Sequence, residues 1–244
     1  TALTAAGGAG LDVADVFRTF LYDGTGADLT IANGVDLSGE GGLVWIKNRD
    51  ANYNNNLFDS ERGTSSAKYV LESNSTSAEG TGTFNVTTFN SNGFSLGTGS
   101  QVNNSSRNYA SWTFRKAEKF FDIVTYEGTG SARTVAHSLG GTVGMILIKN
   151  RDETDNWAVY HRGADASAPE DKYLILNSDG VMADSAAWWN DTAPTTSVFT
   201  VGTDHAVNAD GENYVAYVFA HNNNDGKFGP DGDQDIISCG SFTG

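Results

Sequence analysis

The chain has 244 residues with 15 Lys+Arg against 30 Asp+Glu, a net charge of −15 that repels nucleic-acid backbones and anionic membrane surfaces wherever salt leaves it unscreened. Hydrophobic content of 39% with 11% aromatic supplies a core, and no run approaches the roughly 18 apolar residues of a membrane span. The single cysteine, Cys239, leaves neither an intrachain disulfide nor a Cys-rich zinc site, so stability must come from packing.

Abundant Gly, Asn, Ser and Thr with 3 Pro favour many short strands joined by tight turns. Residues 1–16 are small, rich in Ala, Gly and Thr, and read as a linker or docking tail; Asp15 to Phe20 has room for one helical turn at most. A strand is expected over Phe17–Tyr22, followed by a turn at Gly24–Gly26 and a short strand at Asp28–Ala32. Then comes Leu43-Val44-Trp45-Ile46, led by Gly41-Gly42 and closed by Lys47-Asn48-Arg49-Asp50. Four apolar residues in a row between such ends are the pattern of a strand buried on both faces that surfaces at a fixed point. Strands are expected next at Asn55–Arg62 and Lys68–Ser73. A Thr/Ser/Gly-rich connection over Asn74–Thr83 leads to a strand at Phe84–Phe89, a hairpin turn at Asn92-Gly93 and a strand at Phe94–Leu96. Asn108–Phe114 closes the unit, and alternation puts Ala110, Trp112 and Phe114 on one face with Tyr109, Ser111 and Thr113 on the other.

The same order of blocks then returns. Leu43–Asp50 reappears as Met145-Ile146-Leu147-Ile148-Lys149-Asn150-Arg151-Asp152, an offset of 102 residues from position 46 to position 148. Tyr22–Gly26 matches Tyr126–Gly130 and Lys68–Leu71 matches Lys172–Ile175, both at 104; Phe94–Gly97 with Val102-Asn103 matches Phe199–Gly202 with Val207-Asn208, and Asn108–Phe114 matches Asn213–Phe219, both at 105. Five ordered blocks with small drift mean an internal repeat of about 105 residues with insertions confined to loops. The expected organisation is a tail over 1–16, β-units over 17–120 and 121–234, and at 235–244 the opening strand of a third unit or a closing strand. That last segment, Asp235–Gly244, matches Asp122–Gly130, and the chain opens on Thr1, so it reads as a piece of something longer.

The order of Gly42–Asp50, Asn92–Gly97, Asn108–Phe114 and Phe121–Gly130 resembles the tandem repeats of tail-fibre and other virion appendage proteins of marine bacteriophages, cyanophages included. The likeness runs from Phe17 to the C-terminus. It implies an all-β chain of two tandem antiparallel β-sandwiches of the jelly-roll, concanavalin A-like (laminin G-like) lectin type, and it supplies no catalytic residues.

Few residues invite a chemical role. Asp59 and Glu61, two apart on an expected strand, could hold carboxylates roughly 7 Å apart on one side, a glycosidase spacing. Matching Arg62 to Arg162 puts Val159 and His161 at those positions in the second unit, so no catalytic residue is assigned. Lys47, Arg49, Lys149 and Arg151 either cover strand ends beside a turn-capping Asp or form a polar sugar-binding edge. Trp188-Trp189, in the loop-like stretch Asp184–Pro194, either stacks on sugar rings or is buried against the sheet. The second unit carries an eight-residue acidic insertion between Phe219 and Asp235, where Asp225, Asp231, Asp233 and Asp235 are the candidate Ca²⁺ ligands or a solvated loop; it lacks the EF-hand spacing. The four His are scattered and take no metal or nucleophile role.

The expected function is a non-enzymatic structural and adhesive module of a phage virion appendage that binds host-surface glycan or another receptor. Capsid or tail decoration and a polysaccharide depolymerase are the competing readings. Expected partners are other copies of the chain or further domains of a longer fibre, with virion structural proteins and host glycan, and neither nucleic acid nor membrane insertion.

Overall fold

The computed structural model describes residues 10–63, 69–81 and 85–242. The first nine residues of the expected tail, the expected strand starts Lys68 and Phe84, Thr83 of the connection, and Thr243 and Gly244 lie outside them. A single helical turn, α1 (Val13–Val16), ends where Phe17 turns extended, so the helical turn expected across 15–20 stops short and the strand begins at once. β1 (Phe17–Asp23), β2 (Leu29–Ala32), β3 (Gly42–Asn48), β4 (Asn56–Asp59), β5 (Tyr69–Glu72), β6 (Gly80–Thr81), β7 (Val86–Asn90) and β8 (Gly93–Leu96) follow. α2 (Ser100–Asn103) and β9 (Asn108–Arg115) complete this half. Then come β10 (Phe121–Glu127), β11 (Arg133–Ala136), β12 (Val143–Asn150), β13 (Ala158–His161), β14 (Lys172–Ile175), β15 (Ala183–Asp184), α3 (Ala186–Trp189), β16 (Val198–Val201), α4 (His205–Asn208) and β17 (Asn213–Ala220). Among the described residues no helix is long and apolar enough to cross a membrane.

The chain is all-β, with antiparallel pairing throughout these strands. One six-stranded sheet has the order β1-β9-β3-β4-β5-β6 and the other β10-β17-β12-β13-β14-β15; smaller sheets are β2-β8-β7 and β11-β16. β3 has apolar residues in succession because both its faces are covered. Val44 and Ile46 pack outward on Ile31, Val86, Phe94 and Leu96 of the small sheet, while Leu43 and Trp45 point to the other large sheet. β12 does the same, with Ile146 and Ile148 against Val135, Phe199 and Val201, and Met145 and Leu147 turned inward. The layers run small sheet, large sheet, large sheet, small sheet. Phe17, Phe114, Phe121, Phe219 and Tyr217 meet in the middle, with Phe114 and Phe219 ring centroids 5.5 Å apart.

Polar residues pin the corners in matching fashion. Asn103 accepts from Thr25 N and donates to Ala27 O and Gly97 O; Asn208 accepts from Thr129 N and donates to Ser131 O and Gly202 O. Both side chains are wholly buried, so these bonds satisfy groups that water cannot reach. The Tyr22 hydroxyl donates to Val102 O and the Tyr126 hydroxyl to Val207 O, each at 2.7 Å.

Three sequence expectations are corrected. The hairpin between β7 and β8 turns on Ser91-Asn92; Gly93 opens β8 at φ +120°, where a Cβ would lie 2.0 Å from the Ile31 carbonyl oxygen. Pairing places Asp59 opposite Leu43 and His161 opposite Met145, so His161 corresponds to Asp59 and not to Glu61. Asp235–Cys239 forms no strand. The Asn222 side chain instead accepts from Ile236 N and Ile237 N, and both isoleucines pack on the core.

Ile148, wholly buried on β12, should cost about 2–5 kcal/mol when truncated to Ala, measured by urea unfolding. A loss below roughly 1 kcal/mol would contradict the two-faced burial of that strand.

Candidate functional site

The inner face of the first large sheet is only partly covered. At the Phe114 end it meets the second sheet; towards the other end of the ladder a groove of ≈ 460 Å³ opens, lined by Trp45, Lys47, Asn55, Trp112 and Phe114. The antiparallel register puts Trp45 directly opposite Trp112 on β3 and β9, which brings the indoles to 6.4 Å at 70°. Both rings are half-buried, and Leu21, on the same face of β1, is 59% exposed. The two indole N–H groups and the Asn55 carboxamide make no hydrogen bond among the described residues, while Lys47 Nζ donates to Tyr53 O at 2.7 Å. Aromatic walls with free donors at the rim suit a ligand that is apolar on its faces and polar at its edges. Sequence reasoning named Lys47 here and missed the two tryptophans. The cross-strand pairing of Trp45 with Trp112 would have found them, had the register between two distant blocks been considered.

The groove exists because the sheets overlap off-centre. β4, β5 and the segment 74–79 of the first half lie over the second sheet: Trp157 Nε1 donates to Glu72 O, Glu79 N to Arg151 O and Asp155 N to Thr76 O. Tyr217, which occupies on β17 the place of Trp112 on β9, stacks on Trp157 and donates its hydroxyl to Asp59 at 2.7 Å. Asp59 also pairs with Arg62, Arg62 with Glu79 at 2.8 Å, and Glu79 takes Arg151 through both oxygens at 2.9 and 3.1 Å. Burial works against the Arg62 charge, but Asp59, Tyr217 and Glu79 around it hold its pKa above the usual arginine value. Asp59 is thus bound up in the contact between halves, and Glu61 pairs with Lys116 at 2.8 Å, so the two carboxylates do not form a working pair.

The Lys-Asn-Arg-Asp endings are turn hardware in large part. Asn48 Oδ1 accepts from Asp50 N and Ala51 N, and Asp50 grips Asn108 through its backbone and side-chain N–H; Asn150 and Asp152 do the same for Asp152 N, Glu153 N and Asn213. Arg49 is exposed and its backbone N–H bonds Asn108 O. Arg151 is held by Glu79 and sits 6.0 Å from the Tyr69 ring centre. Lys149 is 0% exposed with Nζ on Asn150 O and Glu153 O, and burial lowers its pKa to about 8. Of the four cations, Lys47 alone lines the groove.

The tryptophan pair is not a surface platform. α3 is capped by Ser185 and buries Trp188 (6% exposed) and Trp189 (2%), the first stacked on Tyr173 at 3.8 Å and the second donating Nε1 to Lys172 O. Both indoles pack in one cluster with Ala158 and Tyr160 of β13 and Phe199 and Val201 of β16.

The acidic loop also turns inward. Phe228 packs edge-on to Phe120, 6.2 Å between centroids, and pairs with Leu11 and Gln234. Asp225 takes Asn223 N and Lys119 Nζ, its carboxyl pKa lowered first by the Asn223 N–H; Asp235 takes Asn224 N and Gly226 N. Asp231 and Asp233 point to solvent, and among the described residues no three acidic, His or Cys side chains converge on a metal position.

Removing one partner of the buried contact, by Asp59→Ala, should cost about 3–5 kcal/mol in chemical unfolding, while Glu61→Gln should change stability by less than about 1. Equal effects would contradict the assignment. A second expectation concerns Lys149, whose folded-state pKa of about 8 lies below its ordinary 10.5. With this lysine the unfolded chain binds more protons between those values, so the contribution of Lys149 to stability rises with pH across pH 8 to 10.5. Lys149→Met should remove that rise, on the order of 2–3 kcal/mol, in unfolding measured against pH.

No curated protein and no solved structure matches this chain. The family model described as "Domain of unknown function (DUF7483)" matches residues 12–236, an extent that takes in every strand above, and the chain belongs to that family.

Proposed function

We propose that the chain is a non-enzymatic structural and adhesive module of a virion appendage, and that it binds host-surface glycan through the groove between Trp45 and Trp112. The two halves are read as copies of one sandwich of the jelly-roll, concanavalin A-like type. What supports the copy reading is the one-for-one correspondence of strand order in the two large sheets, together with Asn103 and Asn208 in the same three-bond role. What supports adhesion is a single observation: two half-buried indoles, whose N–H groups have no partner among the described residues, line a groove where the second half has buried Leu147 and Tyr217. An indole face matches the C–H face of a pyranose, and the N–H, carboxamide and ammonium groups around it match hydroxyls.

Decoration of a capsid or tail without receptor recognition is the second reading. The buried chain of Asp59, Arg62, Glu79 and Arg151 across the two halves favours it, since it fixes their relative position as a stiffening part requires.

A glycan array probed with the wild-type chain and with Trp112→Ala separates the two. Binding to a defined set of glycans that falls at least about tenfold in the variant, with unfolding midpoints alike, is the expected result. Absence of glycan binding in a folded chain would favour decoration, and sugar release from host polysaccharide would overturn the non-enzymatic reading.

A further inference from the structure

We infer that the glycan taken by the Trp45–Trp112 groove is acidic, bearing carboxylate or sulfate groups; this rests on the adhesive reading above. The groove's polar groups are nearly all donors. Lys47 carries three N–H donors of which Tyr53 O takes one, and each of Trp45 and Trp112 has one N–H without a partner among the described residues. Asn55 adds a carboxamide with two donors and the single side-chain acceptor of the lining. A neutral sugar hydroxyl both donates and accepts, so a wall meant for neutral sugars would mix donors with carbonyl or carboxylate acceptors. This one contains no carboxylate.

The charge is equally selective. In a chain of net −15, the groove lining holds one cation and no anion, and among the described residues the polar contact of Lys47 Nζ is the Tyr53 carbonyl oxygen. An ammonium left without a counter-ion beside two apolar rings favours a charged acceptor over a neutral one, because charge-assisted hydrogen bonds are about twice as strong. The second half shows the alternative fate of the same lysine. Lys149 is wholly buried on Asn150 O and Glu153 O, with Leu147 and Tyr217 in place of the indoles, so among the described residues only the first half offers such a groove.

The test uses the full chain and matched oligosaccharides that differ only in charge: oligogalacturonate, oligoguluronate and sulfated galactan fragments, each against its methyl-esterified or desulfated form, by titration calorimetry. Tighter binding of at least one charged form by about tenfold or more, near one site per chain, is expected. Lys47→Gln should remove the preference while Trp112→Ala removes binding to both forms. Equal affinity for charged and neutral forms, or preference untouched by Lys47→Gln, overturns the acidic assignment and leaves the adhesive reading standing. No binding to any pair, binding indifferent to Trp112→Ala, or a dimer by sedimentation that Trp112→Ala converts to monomer overturns both.

Discussion

The two large sheets share one apolar interface, and its limited overlap sets the rest of the structure. Each sheet has a central strand that is hydrophobic on both sides, and a face of that kind must be covered by something. The outer faces are closed locally by the small sheets. The inner faces close on each other, which is why Phe17, Phe114, Phe121 and Phe219 converge and why the halves cannot be understood separately. Placing Asp59 in that interface obliges partners for its charge. Arg62, Glu79, Arg151 and the Tyr217 hydroxyl supply them, because an unpaired buried carboxylate would cost several kcal/mol.

Covering is unequal, and the inequality creates the candidate site. The second sheet lies under β4, β5 and the segment 74–79, so Val215, Tyr217 and Trp157 lose all contact with water. Among the described residues nothing lies over the corresponding part of the first sheet, where Trp45 and Trp112 are half-buried and Leu21 is exposed. Residue choice follows that geometry. Tyr217 and Leu147 fit a closed layer, while indoles with unbonded N–H groups fit a surface that meets a polar ligand. The same division explains Lys47 and Lys149, one at a rim and one buried at a cost that its lowered pKa records.

Much of the fold was legible because it depends on local patterns. The run Leu43–Ile46 and its echo Met145–Ile148 announced two central strands, and both are central. The Lys-Asn-Arg-Asp endings were readable as turns, but Asn48 and Asn150 cap them while Asp50 and Asp152 reach across to Asn108 and Asn213. What the sequence hid depends on pairing and on three-dimensional overlap. Nothing in Asp184–Pro194 says that Trp188 and Trp189 pack against β13 and β16, and an acidic loop gives no sign that Phe228 anchors it from within. Asp235–Cys239 carries a strand pattern, yet the Asn222 side chain takes its backbone N–H groups and its isoleucines pack on the core. The groove required two facts that no single segment contains: that Trp45 and Trp112 are cross-strand partners, and that the covering sheet stops short of them.

The claim on which the account turns is that two of the five tryptophans form an open ligand surface while Trp157, Trp188 and Trp189 are buried. Iodide and acrylamide quenching of tryptophan fluorescence, with and without a bound oligosaccharide, tests it directly. The account predicts a quenchable fraction that disappears in the Trp45→Phe, Trp112→Phe double variant and that ligand protects in the wild type. A quenchable fraction that survives the double variant, or that a bound ligand leaves unprotected, would contradict it.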